Sequence, residues 1–498
     1  MAREGKLHAA KYAPPPPELP IYQQLDPEIV SFIGRTNYEA PLETKKFVFG
    51  IKRLDRRRHV YVLGRSGVGK SKLLELLIRQ DIGYGYGCCV IDPHGDVIES
   101  LLDFIPEERI HDVVVIDPSD TGWPISFNPL QKVPPEQKHM MAQGLIEVME
   151  KQFGANWTPR LEHVFRFSVL ALLDYPEATF RGMIQLLTDR GYRQRVVEYI
   201  EDDMVRRFFA VEFAEWSEKF DTDAIIPLVN KLGQFLSMPM LRNIFAQKEN
   251  KIDFEEIMMQ GKILLINLSK GKIGEENSSF FGSMFVTKIK QAGMARAALA
   301  EAEREDFYLY ADEFQNLATA TFMDLFSESR KYGLCLTVSN QYIGQLIPSV
   351  LAAVLGNVAH IIVFRVGGSD AVQLENEMAP VFKAKDMINL GMQEFYIKET
   401  IDGETYDPFS AQTLMVLPPP HPSCKEEIIA ASRKKYAMQA GDVARMLKEE
   451  EERARFGSGG PRPSESSGKG GPSPVADHSP VSAPAVGGTS AEQPEPLI

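Results

Sequence analysis

The glycine-rich stretch GRSGVGKSK, residues 64–72, has the spacing of a loop that binds phosphate groups. It follows an apolar stretch, HVYVL, and leads into an apolar pattern of helical period, LLELLIRQ. Glycines let successive backbone N–H groups turn inward around an anion, and a following helix directs the positive end of its dipole at the same point. We therefore predict a loop that holds the phosphates of a nucleotide, in preference to a glycine-rich turn that binds nothing.

Two residues of this loop have specific expected roles. Lys70 is expected to reach the β- and γ-phosphates as a point charge, and the Ser71 hydroxyl to complete the coordination of Mg²⁺. Lys70 is thereby both a binding and a catalytic candidate. The predicted nucleotide contacts are Gly64, Arg65, Ser66, Gly67, Val68, Gly69, Lys70 and Ser71.

A pair of acids in FYLYADEFQ supplies the groups that hydrolysis needs. A strand pattern leads to Asp312 and Glu313, and parallel sheets bind their ligands at the carboxyl edge. Asp312 is placed to hold Mg²⁺ through its waters, and Glu313 to orient and deprotonate the attacking water. An ordinary helix start is the alternative. The phosphate loop upstream favours the catalytic interpretation.

Three further polar residues are catalytic candidates. Gln341 ends the strand pattern LTVSNQ and is expected to hydrogen-bond the γ-phosphate or the attacking water, unless it is only a turn residue. Arg330, in SESRKYG, and Arg365, at the end of HIIVFR, are candidates for an arginine finger that stabilises transition-state charge. For both arginines a surface salt bridge is the alternative.

The elements that must bring these residues together alternate between strand and helix. Over residues 47–130 this alternation predicts a parallel sheet with crossover helices. DPHGD ends the second strand, where Asp92 and Asp96 either contact metal-bound water or a neighbouring subunit, or cap the next helix. Residues 133–258 are almost wholly helical, and strand patterns resume at GKILLINLS. One sheet is therefore predicted to be split by a helical insertion.

Composition limits the class of protein. A chain of 498 residues, 44% of them hydrophobic, is expected to fold into two or more domains. A net charge of −13 argues against wrapping nucleic acid with the outer surface, but it leaves a locally basic channel open. Cys88, Cys89, Cys335 and Cys424 lack metal-ligand or disulfide spacing, and three of them lie within apolar, strand-like runs. All four are interpreted as buried thiols in a reducing cytoplasm.

Neither export nor an intrinsic membrane span is predicted. The N-terminal stretch MAREGKLHAAKYAPPPPELP lacks the apolar core of a secretion signal, and its prolines predict an extended arm. Residues 346–364 are about long enough to cross a bilayer, but Gly356, Asn357 and His360 interrupt them. A short helix followed by a buried strand is the favoured interpretation. The expected location is cytoplasmic.

The succession GRSGVGKS, VIDPHGD, GKILLINLSKGKIGEENSSFFG, LYADEFQ, SRKYGL and SNQ resembles the FtsK/HerA superclass of P-loop ATPases. The helical insertion is similar to that of the coupling-protein ATPases of type IV secretion and conjugation, and the resemblance covers most of residues 45–415. It implies ATP and Mg²⁺ as cofactors and a homohexameric ring that moves single- or double-stranded DNA through a central pore. It also implies that Arg330 lies in the segment that carries the arginine finger.

Coupling proteins usually carry N-terminal transmembrane helices, whereas here the proline-rich arm leads straight to the ATPase pattern. The resemblance therefore implies either a soluble relative or recruitment to the inner face of the membrane by a partner, with a relaxase or type IV secretion components as candidate partners. KGKIG, residues 270–274, is basic and glycine-bearing and is a candidate pore loop, with a plain connector as the alternative.

The predicted function is an ATP-hydrolysing DNA translocase in conjugation, type IV secretion or DNA processing. The acidic balance keeps open a nucleotide-switched adaptor that recruits protein cargo, and a third alternative is an ATPase that moves protein substrates or assembles a pilus. The predicted fold is α/β, a RecA-like P-loop NTPase with a mainly parallel sheet. Its predicted parts are a proline-rich N-terminal arm (1–44), the first part of the ATPase domain (45–132), an all-α insertion (133–258), the second part of the ATPase domain (259–420), a C-terminal helical segment (421–455) and a disordered tail (456–498).

Overall fold

The computed structural model describes residues 10–39, 46–213 and 222–456. The predicted tail, beyond Phe456, lies outside the described residues, as do residues 1–9 and 40–44 of the predicted arm. The strands are β1 (Val30–Thr36), β2 (Val48–Lys52), β3 (Val60–Leu63), β4 (Gly87–Asp92), β5 (Val113–Ile116), β6 (Ile263–Asn267), β7 (Phe307–Ala311), β8 (Leu334–Asn340), β9 (His360–Val363), β10 (Glu394–Lys398), β11 (Thr400–Ile401), β12 (Glu404–Thr405) and β13 (Phe409–Thr413).

Helices cover the sheet, and helices also make up most of the described chain that connects β5 to β6. The α-helices are Arg53–Arg56, Lys70–Gly83, Asp96–Phe104, Pro135–Phe153, Pro159–Asp174, Phe180–Thr188, Arg190–Val197, Asp203–Arg207, Thr222–Ser237, Pro239–Phe245, Phe254–Met259, Lys270–Ile273, Glu275–Ala295, Ala320–Glu328, Pro348–Asn357, Gly368–Leu374, Ala384–Ile388, Lys425–Tyr436 and Ala440–Phe456.

A large, mainly parallel sheet forms the centre of the molecule. It has eleven strands in the order β2-β1-β13-β10-β9-β3-β8-β7-β4-β6-β5. The strands from β9 to β5 in that order run parallel, and the register places Leu63 beside both Asn340 and Val363. Val62 packs into the apolar cluster on one face and Leu63 into that on the other. Because helices cover both faces, these strands are continuous apolar runs.

The chain between β5 and β6 is helical in its described part and will be called the insertion. The long helix Glu275–Ala295 that follows β6, called the bridging helix below, packs against it. At Gly144, on the insertion helix Pro135–Phe153, a Cβ would lie 2.2 Å from Cγ2 of Thr287 on the bridging helix. Only glycine permits so close an approach, so this contact fixes the insertion against the sheet domain.

The N-terminal region differs from the extended arm that its prolines predict. β1, Val30–Thr36, pairs antiparallel with β13 and with β2. Upstream of the prolines, the Ala13 N–H donates to Oγ of Ser410 at 3.0 Å, and the Tyr396 hydroxyl donates to the Lys11 carbonyl at 2.8 Å. The region predicted as an arm, residues 1–44, therefore contains a strand of the sheet. VSFIGRT pairs with a strand almost 400 residues later, which a local pattern does not reveal.

Residues 346–364 form the predicted helix followed by a buried strand, Pro348–Asn357 and β9. Among the described helices, none combines the length and the apolar character needed to cross a membrane. Cys88, Cys89 and Cys335 are buried free thiols, as predicted. The prediction of burial is wrong for Cys424, which lies outside the strands of the sheet and is partly exposed.

Candidate nucleotide-binding and catalytic site

The predicted phosphate loop connects β3 to the helix Lys70–Gly83. Gly69 ends the loop at φ = 123°, a conformation that L side chains rarely adopt. At Gly64 a Cβ would lie 2.6 Å from Cβ of Phe364, so a side chain there would collide with the segment after β9. The loop therefore presents backbone rather than side chains at the start of the helix, as an anion nest requires.

Backbone hydrogen bonds to neighbouring segments hold the loop in place. The Arg65 N–H donates to the Arg365 carbonyl at 3.0 Å. On the other side, the Val68 carbonyl accepts from the Gln393 N–H at 3.0 Å. Because both partners lie at or near the carboxyl edge of the sheet, the loop is preorganised by strands that follow it by about 300 residues.

Ser71 and Asp312 meet where the helix begins. The Ser71 hydroxyl donates to Oδ2 of Asp312 at 3.0 Å, and the Ser339 hydroxyl donates to Oδ1. Asp312 is 7% exposed. Hydroxyl and carboxylate oxygens are ligands that Mg²⁺ prefers, so the groups present fit this ion, with Ser71 and Asp312 as the residues that would hold it directly or through water.

Lys70 points its ammonium group back into the loop. Its Nζ donates to the Arg65 carbonyl at 3.2 Å, and the residue is 6% exposed. Burial lowers the pKa of Lys70 from its ordinary value, although the charges of Asp312 and Glu313 act in the opposite direction. A phosphate group would relieve this desolvation, because it brings a negative charge to a buried cation.

Glu313 lies at the centre of a polar cluster at the end of β7. Gln341 donates from Nε2 to Oε1 of Glu313, and His94 Nε2 lies 2.9 Å from the same oxygen. Lys270 donates from Nζ to Oε2 at 3.2 Å. Glu313 has φ = 46°, which is uncommon for a residue other than glycine and turns its side chain away from the strand direction. The sheet thus brings Glu313 and Gln341 together, as the sequence predicts.

The cationic neighbours set the protonation of this cluster. Burial alone would raise the pKa of Glu313, but its contacts with His94 and Lys270 outweigh burial and hold that pKa below its ordinary value. Burial acts to lower the pKa of His94, and the hydrogen bond and charge of Glu313 more than offset it, so the His94 pKa is raised. Glu313 is therefore ionised, as a candidate general base must be, and its carboxylate is in contact with the Lys270 ammonium group and the His94 ring.

His94 and Lys270 are the site residues that sequence reasoning missed. His94 lies within DPHGD, where only the two acids were considered, and Lys270 begins KGKIG, which was considered as a pore loop. The latter segment is the short helix Lys270–Ile273 directly after β6. Their common signal is a polar residue just after an apolar strand, the same signal that identified Glu313.

Asp92 caps the helix Asp96–Phe104, and helix capping is one of the two roles considered for the acids of DPHGD. Its Oδ1 accepts from the His94 N–H at 2.8 Å, and its Oδ2 accepts from the N–H groups of Val97 at 2.9 Å and Ile98 at 3.3 Å. Asp96 is exposed and lines the cleft in front of the phosphate loop. Capping by Asp92 fixes the turn that carries His94.

The two arginine candidates lie at opposite edges of the sheet. Arg365 follows β9 at the carboxyl edge, and its carbonyl is bonded to Arg65 of the phosphate loop. Arg330 is exposed and precedes β8, whose seven residues end at Asn340. Since a strand of this length spans about 23 Å, Arg330 does not reach the phosphate loop of its own chain.

The loop, the acids and Gln341 surround an open cleft of about 410 Å³. Met392 and Gln393 also line it. The cleft is large enough for a nucleotide, whose binding sites in proteins are typically several hundred Å³.

Comparison with known proteins agrees with this geometry. Residues 51–289 match the family model described as the central domain of helicase HerA. The HerA-type domain contains both the phosphate loop and the insertion, so the resemblance to FtsK/HerA ATPases is confirmed. Among curated protein sequences, none matches the chain significantly.

Solved structures share the fold of the HerA-type domain and its surroundings. The bacterial conjugative coupling protein TrwBΔN70 has a TM-score of 0.56 at 16% identity, covering 74% of this chain and 88% of its own. TrwB in complex with ADP and Mg²⁺ has a TM-score of 0.55 at 16% identity, and the match covers 73% of this chain and 87% of the TrwB chain. VirB4 of Thermoanaerobacter pseudethanolicus has a TM-score of 0.52 at 15% identity, and the match covers 78% of this chain and 96% of the VirB4 chain. These matches confirm the predicted α/β P-loop fold.

Proposed function

We propose that the protein is a Mg²⁺-dependent ATPase that moves DNA, of the conjugation and type IV secretion class. The ATPase part of the proposal rests on one observation. The Ser71 hydroxyl lies 3.0 Å from Oδ2 of Asp312, and Glu313 lies at the same sheet edge beside the phosphate loop. Support for DNA as the substrate comes from the HerA match and from the fold shared with the conjugative coupling protein TrwB.

In the proposed reaction the loop N–H groups and Lys70 bind the phosphates. Glu313 accepts the proton of the attacking water, and Gln341 orients that water or the γ-phosphate. Mg²⁺, held by Ser71 and Asp312, would neutralise charge on the phosphate oxygens. His94 and Gln341 contact Oε1 of Glu313, and Lys270 and Asn316 contact Oε2. Because a carboxylate has about four acceptor positions, Glu313 must release at least one of these partners before it accepts a proton from water.

The proposed assembly is a homohexamer with DNA in its pore. The position of Arg330, exposed and at the edge opposite the phosphate loop, supports a role for this residue in the site of a neighbouring subunit. Arg365, beside the loop of its own chain, is the candidate for charge stabilisation within one subunit.

Steady-state ATP hydrolysis tests the proposal. The full chain is assayed with and without single- and double-stranded DNA at low and moderate salt, with Lys70→Ala as the blank and the exposed Lys385→Ala as the matched control. We expect DNA to stimulate turnover, and the stimulation to fade with salt because phosphate contacts release counterions. Turnover no greater than that of Lys70→Ala would contradict the ATPase assignment.

The same assay separates the alternatives. Turnover that ignores DNA but depends on added polypeptide would select an ATPase that moves proteins. Slow turnover under every condition, together with tight binding of protein partners, would select the nucleotide-switched adaptor.

A further inference from the structure

A lysine of the insertion reaches the turn that carries Glu313. Lys151, near the end of the helix Pro135–Phe153, donates from Nζ to the Asn316 carbonyl at 2.6 Å and to Oγ of Ser283 at 3.3 Å. Both acceptors are neutral groups, and burial lowers the pKa of Lys151 to about 8. Placing an ammonium group here is unfavourable unless its hydrogen bonds are made, so its position is closely determined.

Asn316 in turn contacts Glu313 directly. Its Nδ2 donates to the Glu313 carbonyl at 2.9 Å and to Oε2 of the same residue at 3.4 Å. Glu313 has a left-handed backbone conformation, which is less favourable than the right-handed one for a residue with a side chain. Contacts from outside the turn are therefore needed to hold it.

The bridging helix lies between the insertion and this turn and makes contact with both. Ser279, on this helix, donates from Oγ to the same Asn316 carbonyl at 3.1 Å. At Gly282 a Cβ would lie 2.2 Å from Cδ2 of Leu317, just as a Cβ at Gly144 would meet Thr287 on the insertion side. Close packing at both contacts leaves little room for the insertion to move without moving the turn.

We infer that Lys151 and Asn316 are positioning residues through which the placement of the insertion controls the orientation of Glu313. The inference rests on the proposed function, because it concerns the efficiency of a carboxylate that activates water. A partner that shifts the insertion would draw Lys151 away from the Asn316 carbonyl and relax the turn. Turnover would then respond to the insertion although Lys151 does not contact the nucleotide cleft.

Lys151→Met tests the inference, with Lys138→Met as the matched control. Lys138 lies on the same helix, but its Nζ pairs with Asp174 and with Glu201, 2.8 Å away, inside the insertion. Methionine keeps the apolar stem and removes a desolvated charge, so we expect Lys151→Met to fold with an unchanged or higher Tm. Its kcat should fall on the order of tenfold, as for loss of a hydrogen bond from a charged donor, while KM for ATP changes less than about twofold.

Hydrogen exchange of the backbone amides of residues 312–318 gives a readout that does not require turnover. We expect faster exchange in Lys151→Met and wild-type exchange in Lys138→Met. Unchanged kcat or unchanged exchange in Lys151→Met would overturn the inference. An equal loss of kcat in both variants would also overturn it, since that result reports general destabilisation.

A double variant tests whether the two residues act along one path. If they do, the double variant Lys151→Met/Asn316→Ala should lose no more kcat than the worse single variant. If the fold losses of kcat in the two single variants multiply in the double variant, the residues act independently and the shared path is overturned. If the wild-type chain does not exceed Lys70→Ala in turnover, the proposed function fails. The exchange measurement then decides by itself whether Lys151 holds the turn.

Discussion

Gln341 and Glu313 are hydrogen-bonded across two neighbouring parallel strands, with the Gln341 amide Nε2 donating to Oε1 of the carboxylate. The bond joins the end of β8 to the end of β7 directly in front of the phosphate loop. The same NH₂ group can donate to a γ-phosphate oxygen in another arrangement, because it carries two N–H donors and both the Glu313 carboxylate and phosphate oxygens accept. Gln341 thus connects the position of the base to occupation of the cleft.

Replacing Glu313 by Gln should separate binding from hydrolysis. Glutamine keeps the size and hydrogen-bonding oxygen of the side chain but does not accept the proton of water at neutral pH, so kcat should fall by roughly 10²-fold or more while ATP affinity is retained. Single-turnover hydrolysis and equilibrium nucleotide binding measure the two quantities. Glu305→Gln, at the exposed opposite end of the same strand, is the control. Normal turnover in Glu313→Gln would remove Glu313 from the mechanism.

Removing the ammonium group of Lys270 should raise basal turnover. This group occupies Oε2 of Glu313 and helps to lower the pKa of that carboxylate, so Lys270→Met should free an acceptor and give a stronger base. We expect basal kcat to rise about two- to fivefold, an effect of under ~1 kcal/mol on the barrier. Lys272→Met removes an equal charge from the same short helix at an exposed position and should leave basal kcat unchanged. A fall in kcat for Lys270→Met would instead assign Lys270 a supporting role in catalysis.

The opposite placements of Arg330 and Arg365 predict different results in subunit-mixing experiments. Lys70→Ala and Arg330→Ala are each expected to be inactive, but mixed rings should recover part of the activity because an intact Arg330 from one subunit meets an intact Lys70 in another. Mixing Lys70→Ala with Arg365→Ala should recover none if Arg365 acts on its own loop. ATPase rates of refolded or exchanged mixtures measure this, and the absence of recovery with Arg330→Ala would contradict action between subunits.

Folding stability should fall in mild acid because His360 is buried. Burial lowers its pKa from 6.5 to about 4, so the unfolded state takes up a proton that the folded state excludes. The contribution is therefore fully present above pH 6.5 and is lost as pH falls towards about 4. His360→Gln keeps a donor for the Asp55 carbonyl, 3.1 Å from Nε2, but does not titrate.

Urea unfolding of the two proteins over this range of pH measures the effect. The slope of unfolding free energy against pH should be smaller in His360→Gln by about 1.4 kcal/mol per pH unit, the value for one proton. Equal slopes would show that His360 is protonated in the folded protein. His59, whose pKa burial also lowers to about 4, keeps its own contribution in both proteins.

Local sequence patterns were sufficient to predict the elements of the proposed phosphate site. The glycines of residues 64–69, the apolar strand before them and the apolar helix after them are contiguous, so one stretch contains all the information. The acid pair at Asp312 was predictable for the same reason, as was the split of residues 346–364 into a helix and a strand. Each of these depends on neighbours within about ten residues.

The remaining features depend on strand order, which a local pattern does not contain. His94 and Lys270 reach Glu313 because β4 lies between β6 and β7, and the sequence separates these strands by as much as 215 residues. The pairing of β1 with β13 was missed for the same reason. The sequence identified Arg330 only as an arginine-finger candidate, and the direction of β8 decides that it lies at the edge opposite the phosphate loop.

The position of β3 at the centre of the sheet has a consequence for synthesis of the protein. Leu63 pairs with Asn340 on one side and with Val363 on the other, so the strand that leads into the phosphate loop gains both neighbours only after more than two thirds of the chain has been made. Until then an emerging chain exposes an apolar strand with both edges open, which favours aggregation and binding by chaperones. The phosphate loop is therefore expected to reach its final position only in chains whose translation has passed residue 363.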